Sequence, residues 1–540
     1  MQDEERQKIE RMARQLNVPV EFVETALRTR EAKTMAEKLE FFNKERAMIE
    51  QGDPEAVRRQ HEKGRLTARE RVNRLLDQGS FEELELWRRP YESGCPGEEK
   101  GRGDGVVIGY GAVNNRPVAV WAQDATVMGG TVGTVHARKV TMIMENAVYA
   151  RTPMVAIFDS EGLRAHDAVQ YPDFYSFSSM AYFQALASGV VPKISIVAGQ
   201  CSGENAVIAN LSDFVFMVRN TSYMHLAPLP PGTDGQTLGD PWNVQAKFGP
   251  CDVLAEDEED CLQKCRQLLS YLPSNNTEMP PYVDTGDDPN RREEELLEMV
   301  PVDTSKIFNM YKLIPLIVDN GELFEIKRYF ARNLITGFAR LDGHTVGIIA
   351  SNPQFLGGCM NLDAADKMSR FVRFCDAFNM PLIWLADTPA FIPAVDEETR
   401  GLIRHGSRMI MANSEATVPR ITVAIRKHFG GGRLAMPGPF LGSDISIAWP
   451  TDEPGLMSAE GAVAILYRKE SKSIKDEALR KEQEKKRIEE MKWNLDMLVR
   501  EGSEKIIDPR DTRRFLVMAL KWLRNRKQDL LPKKHENIRM

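Results

Sequence analysis

The chain has 540 residues, 42% hydrophobic and 28% charged, with a formal net charge of −7. That length implies more than one domain, and the composition is that of an ordinary globular protein. The acidic balance argues against non-specific nucleic-acid binding, and no apolar run reaches the roughly eighteen residues of a membrane span.

Residues 1–62 read as an N-terminal helical segment, with charges interspersed among Leu, Phe and Met. Its start (MQDEERQKIERMARQL) has no signal-peptide apolar core, so a cytoplasmic protein is expected. The stretch 65–80 (RLTARERVNRLLDQGS) predicts an amphipathic helix. Thr67 and Glu70 have the spacing of a capping box, and Gly79 is placed to close the helix. Arg65, Arg69, Arg71 and Arg74 could meet phosphates or form ordinary salt bridges, and charge alone does not choose.

From Gly103 short apolar strands (VVIGYGAV, PVAVWAQD, MVAIFDS, ISIVAG, DFVFMV) alternate with helical stretches, an α/β pattern with buried strands. Lys193 to Asp213 (KISIVAGQCSGENAVIANLSD) is a strand, a tight turn and a helix start. Such a turn presents free backbone N–H groups, those of Gly203 and Glu204 first, and can hold an oxyanion. A second strand–glycine arrangement stands at 420–436 (RITVAIRKHFGGGRLAM). The seven cysteines include no CxxC pair, so reduced thiols and no metal site are expected. Cys261 and Cys265 read as two small apolar residues on one helical face.

The chain repeats itself. Pro153 and Pro381 lead matching strands (381 − 153 = 228), as do Pro192 and Pro419 (419 − 192 = 227). Arg116 and His344 hold the same offset (344 − 116 = 228). Two copies of one α/β domain are expected, over 63–285 and 286–525, with a C-terminal tail over 526–540. The joint near 280–300 has a linker composition rich in Pro, Asp and Glu.

These residues resemble the carboxyltransferase (β) subunits of biotin-dependent acyl-CoA carboxylases, the propionyl-CoA and methylmalonyl-CoA types above all. The resemblance covers residue 55 to the C-terminus. It is carried by KGRLTARERVNRLLDQGSF (63–81), MGGTVGTVHARK (128–139), RFVRFCDAFNMPL (370–382), EATVPRITVAIRK (415–427), EGAVAILYRKE (460–470) and IIDPRDTRR (506–514). It implies two homologous crotonase-like domains, each a ββα superhelix. The first would bind acyl-CoA and the second carboxybiotin, in a homo-oligomer ranging from dimer to hexamer. Biotin would arrive as carboxybiotin on a partner carrier protein, with coenzyme A as part of the substrate. The family reaction releases CO2 from carboxybiotin, lets the ureido nitrogen take the α-proton, and lets the enolate attack CO2.

Carried over by position, Gly203 and Glu204 would hold the enolate oxygen, and Gly431 and Gly432 the ureido oxygen. Glu161, Gly162, Arg164, Ser202 and Asn205 would contact the acyl substrate. Pro389, Ala390, Phe391, Ile392, Gly401 and Gly430 would line the biotin site. The chain departs from the family where small residues give way to Glu161, Glu204, Asn205, Ala390 and Ala394. Scaffold kept and pocket altered is the pattern of an unusual acyl group, and equally of a lost activity. Glu161 and Glu204 would need a partner cation, Arg164 or Arg433, unless one acts on the substrate. If a replaced glycine had a positive φ, strain would follow. His136, His166 and His405 are expected to pack or hydrogen-bond. No Ala-Met-Lys-Met biotinylation sequence and no P-loop are present, so biotin carboxylase and biotin carrier functions fall to partner subunits. Three readings follow: an acyl-CoA carboxylase subunit, the same subunit of a methylmalonyl-CoA or glutaconyl-CoA decarboxylase, or a non-catalytic structural or regulatory homologue.

Overall fold

The computed structural model describes residues 2–15, 20, 23–24, 27, 32–91, 94–95, 101–171, 177–226, 232–502, 504–526, 528–535 and 537. It divides into two units. Unit 1 comprises 1–245 and 254–267, and unit 2 comprises 246–253 and 268–540. The division thus falls before the acidic, proline-containing stretch expected to be the joint. That stretch is tied down within unit 2: the Val283 amide donates to the Gly343 carbonyl at 3.1 Å, and the Thr285 hydroxyl to Asp319 at 2.9 Å.

Each unit is built on an eight-stranded sheet. In the first, β1 (Glu82–Leu84), β2 (Val106–Val113), β3 (Arg116–Gln123), β4 (Met154–Ser160), β5 (Lys193–Ser202), β6 (Phe214–Val218) and β8 (Val253–Ala255) lie in that order, and β7 (Tyr223–His225) pairs with the far end of β5. In the second, β9 (Phe324–Ile326), β10 (Leu334–Leu341), β11 (His344–Ser351), β12 (Leu382–Thr388), β13 (Arg420–Phe429), β14 (Ile445–Ala448) and β16 (Lys505–Ile506) follow the same plan, with β15 (Glu453–Gly455) on the far end of β13. In both, a hairpin (β2–β3, β10–β11) opens the sheet and the later pairs are parallel. The expected duplication therefore holds strand for strand. β4 and β12 are buried throughout, as parallel strands covered on both faces must be.

Among the described residues of the N-terminal segment, helices run over Gln2–Gln15, Met35–Gln51 and Pro54–Glu62. The Thr67–Glu70 capping box is present, and it starts a helix that ends at Leu75, short of Gly79. The arginines of this helix meet carboxylates. Arg71, buried, bonds Asp159 at 2.9 Å and Glu258 at 2.8 Å, Arg69 bonds Glu83 at 2.8 Å, and Arg74 bonds Glu259 at 3.2 Å. Cys261 and Cys265 are both buried. Among the described residues, no helix is long and apolar enough to cross a membrane.

One duplicated feature escaped the sequence reading. Lys139 and Lys367 hold the same 228-residue offset, and both are buried. The Lys139 amine donates to the carbonyls of Gly103 and Val106, each at 2.7 Å. The Lys367 amine donates to those of Lys327, Phe330 and Leu334 at 2.9, 2.9 and 2.7 Å. Each lysine thus fastens the loop that enters the hairpin of its own sheet, where unmet carbonyls would otherwise cost free energy. Burial pushes the two amines down, to about 8 and about 7.

Candidate active site

In each unit most of the candidate residues gather where the parallel strands end. In unit 1, β5 runs through Ser202, turns at Gly203 (φ 63°) and opens the helix Glu204–Asn210. In unit 2, β13 runs through Phe429, turns at Gly430 (φ 39°) and opens the helix Gly430–Ala435. The 227-residue offset makes Gly203, Glu204 and Asn205 the counterparts of Gly430, Gly431 and Gly432.

In unit 1 the Gly203 amide donates to the His225 carbonyl of β7 at 3.0 Å. That amide, expected to face an oxyanion, is engaged, because β7 pairs with the very end of β5. Among the described residues the Glu204 amide has no acceptor. Asn205 is fully buried: its Nδ2 donates to the Ser160 hydroxyl at 3.2 Å, and its Oδ1 accepts from Gln123 at 3.1 Å. Its side chain therefore links the ends of β3 and β4, in place of the expected substrate contact. The Gly162 amide donates to the same Ser160 hydroxyl at 3.0 Å. A Cβ on Gly162 would lie 3.7 Å from the Ser202 hydroxyl, and one on Gly129 would lie 2.8 Å from the Glu161 carboxylate. Glu161, Gly162 and Ser202 are thus close neighbours at the tips of β4 and β5.

Arg164 does not join them. It is buried, with Asp104 at 2.6 Å and Asp167 at 3.7 Å, and it also donates to the Thr131 carbonyl at 2.8 Å. Burial still pushes Asp104 up to about 6, against the pull of that guanidinium. The expected partnership of Glu161 or Glu204 with Arg164 or Arg433 is absent: both carboxylates are exposed and, among the described residues, neither has an ion-pair partner. Nor does strain accompany the substitutions, since Glu161, Glu204, Ala390 and Ala394 all have negative φ.

In unit 2 a cavity of about 600 Å³ is lined by Pro389, Ala390, Gly430 and Gly431, together with Lys427 and Glu453. The backbone is packed too closely to admit side chains. A Cβ on Gly431 would fall 2.5 Å from the Phe391 ring, and one on Gly432 would fall 2.2 Å from the Thr388 carbonyl. Phe391 therefore backs the turn. Ile392 is fixed behind it, its amide donating to the Met360 carbonyl at 2.9 Å. Gly401 (φ 98°) is the joint between the helices Val395–Arg400 and Leu402–Glu415, away from the cavity lining. Burial raises Glu453, which Lys492 and Lys427 partly offset. Neither Lys427 nor Glu453 was singled out from sequence. Lys427 directly precedes the HFGGG run, the one signal that marked it.

The histidines are structural or peripheral. His136 is buried with Nδ1 3.1 Å from the Asp104 carbonyl, His405 lies 2.7 Å from Asp366, and His166 is exposed.

Residues 59–538 match the carboxyl transferase domain family. The chain belongs to that family. It is 39% identical over 515 residues to the methylmalonyl-CoA decarboxylase subunit alpha of Veillonella parvula, covering 94% of this chain and 99% of the other. It is 38% identical to the propionyl-CoA carboxylase carboxyltransferase subunit of Haloferax mediterranei, over 94% of this chain and 99% of that one. With the methylmalonyl-CoA carboxyltransferase 12S subunit of Propionibacterium freudenreichii subsp. shermanii the identity is 39%, over 94% and 98% of the two chains. A crystal structure of transcarboxylase 12S, a hexamer with methylmalonyl-coenzyme A and methylmalonic acid bound, superposes with a TM-score of 0.88 at 38% identity, over 94% of this chain and 99% of that one. The two parallel-rich sheets are thus those of the crotonase-like carboxyltransferase fold.

Proposed function

We propose that this carboxyl transferase family member is the carboxyltransferase subunit that moves a carboxyl group between carboxybiotin on a partner carrier protein and an acyl-CoA. The observation that carries the reading is the duplicated strand-to-helix turn, which in both sheets ends a long parallel strand with backbone amides available.

A thioester α-proton is weakly acidic, so removing it requires donors preplaced for the enolate oxygen. In unit 1 the Glu204 and Asn205 amides take this role, because Gly203 is held by His225 and because these two are the counterparts of Gly431 and Gly432. Each donor of this kind contributes about 3 kcal/mol to lowering the barrier. In unit 2 the Gly431 and Gly432 amides beside the cavity would hold the ureido oxygen of biotin, which the closely packed Gly430–Gly432 backbone leaves uncovered by side chains. Carboxybiotin, when bound, would supply the CO2 and the basic ureido nitrogen. The remaining residues orient: Phe391 backs the glycine turn, and Asn205 locks the ends of β3 and β4 behind the acyl turn. The homo-oligomer, the carrier and the biotin carboxylase belong to this reading as partners.

The decisive test mixes the purified chain with a carboxylated biotinyl carrier domain and a panel of acyl-CoAs, and follows product by mass spectrometry. Carboxyl transfer to at least one acyl-CoA is expected. Failure across the panel, with acyl-CoA binding also absent, would favour a non-catalytic homologue. The likeness to the Veillonella parvula decarboxylase subunit favours a second reading, the same half-reaction run towards decarboxylation. Co-purification with a biotin carboxylase, or instead with a polytopic membrane subunit, separates the two.

A further inference from the structure

Unit 2 has a second cavity, of about 670 Å³, in the size range of small-molecule sites. It lies at the starts of β11, β12 and β13, marked by Val346, Pro381 and Val418. The glycine turn stands at the other end of β13. Ten residues of strand separate the two, about 30 Å at the usual rise. This cavity is therefore not part of the candidate active site.

Its floor is apolar, from Val346, Pro381, Val418 and Leu520. Its rim is cationic, but two of the three cations are spoken for. Lys521 pairs with Asp342 at 2.9 Å, and Arg526 with Asp444 at 2.5 Å. Arg524 is exposed and has no carboxylate partner among the described residues, although Asp529 also reaches the rim. Its Nη2 donates to Nε2 of His344 at 2.6 Å, which holds the guanidinium at the mouth and requires that ring nitrogen to be unprotonated.

We propose that this cavity is a binding site for an apolar carboxylic acid, with its carboxylate on Arg524 and its apolar body on the sheet. One unpaired guanidinium suits a monoanion; a phosphate dianion would call for a second free cation. Because the cavity is remote from the turns, an acid held there is not placed to be the substrate of the candidate active site. The proposal stands whether or not the carboxyl-transfer reading does.

Decanoate is the probe, titrated calorimetrically into the full chain, with decylamine as the charge-reversed control. Saturable binding at one site per chain is expected, with none for decylamine. Arg524→Glu, at an exposed position, should weaken decanoate at least tenfold. Leu520→Trp, which fills the cavity, should do the same with the circular dichroism spectrum unchanged. Binding of methylmalonyl-CoA should be untouched in Arg524→Glu. Absence of saturable decanoate binding to the wild-type chain would overturn the proposal. So would unchanged affinity in Arg524→Glu, or decylamine binding as tightly. If Arg524→Glu alters the oligomeric state and leaves decanoate affinity alone, the cavity is a seam between copies and the proposal fails.

Discussion

The two turns are the same piece of chain written twice, and they have been finished differently. In unit 2 three consecutive glycines bring the backbone against the Thr388 carbonyl and the Phe391 ring, where no side chain fits. In unit 1 the same path carries Glu204 and Asn205, one exposed and one cross-linked to Gln123 and Ser160. The carboxylates behind the turns differ in the same way. Asp387 is met by Arg426, which stands on the neighbouring strand β13. The counterpart of Arg426 is Gly199, where a Cβ would come within 2.0 Å of Asp159, so Asp159 is met instead by Arg71 from outside the sheet. The duplication preserved the charge pair and the turn as physical arrangements, while the residues supplying them were exchanged. The unit 2 turn is closed to variation, and the unit 1 turn is open to it.

That contrast can be broken by experiment. The largest effect is expected from Asp387→Ala, which leaves Arg426 buried and unpaired at the base of the closed turn. Loss of about 3–5 kcal/mol of stability should appear in denaturant melts. Next is Gly432→Ala, whose methyl group would collide with the Thr388 carbonyl. Carboxyl transfer should fall about a hundredfold or more, as on loss of one oxyanion donor, with acyl-CoA affinity kept. If Gly432→Ala transfers at the wild-type rate, the close packing of the unit 2 turn is not needed for chemistry.

Acid should act on the closed half too. His428, buried beside that turn, is pushed down to about 4 by burial. Its folded-state value lies below the unfolded one, so the unfolded chain binds the extra proton. Stability is therefore complete above about pH 6.5 and declines as pH falls towards 4, by about 3 kcal/mol at the end of that window. His428→Gln should flatten this part of the melting profile. The smallest effect belongs to the open turn. Glu204→Gly should leave stability within about 1 kcal/mol, the ordinary cost of glycine in a helix. By removing an unpaired carboxylate it should lower KM about fivefold for acyl-CoAs whose acyl group carries a carboxylate, a Coulomb effect of about 1 kcal/mol. Unchanged selectivity would make Glu204 a tolerated substitution.

Much of this was legible in advance because it is local. The proline-led strands, the Thr67–Glu70 cap and the two turns each lie within a few consecutive residues, and a fixed offset exposed the repeat. What stayed hidden depends on residues far apart in sequence. Gly203 looked free because its acceptor, His225, arrives with a three-residue strand over twenty positions later. Arg164 looked like a substrate contact because Asp104, sixty residues earlier, cannot be assigned to it from spacing. Lys139 and Lys367 drew no reading of their own, although their shared offset was a usable clue. The division between units fell before the acidic stretch because hydrogen bonds, not composition, decide which body a segment joins.

The acyl turn has one more consequence. A donor carried by the main chain survives every substitution at its position except proline, which has no N–H. In its proposed role Glu204 can therefore change identity while the amide donor persists, so that catalysis and selectivity would be inherited separately at one codon. Relatives could drift to new acyl groups through single, individually viable steps. A survey that ranks positions by residue invariance would pass over an amide of this kind.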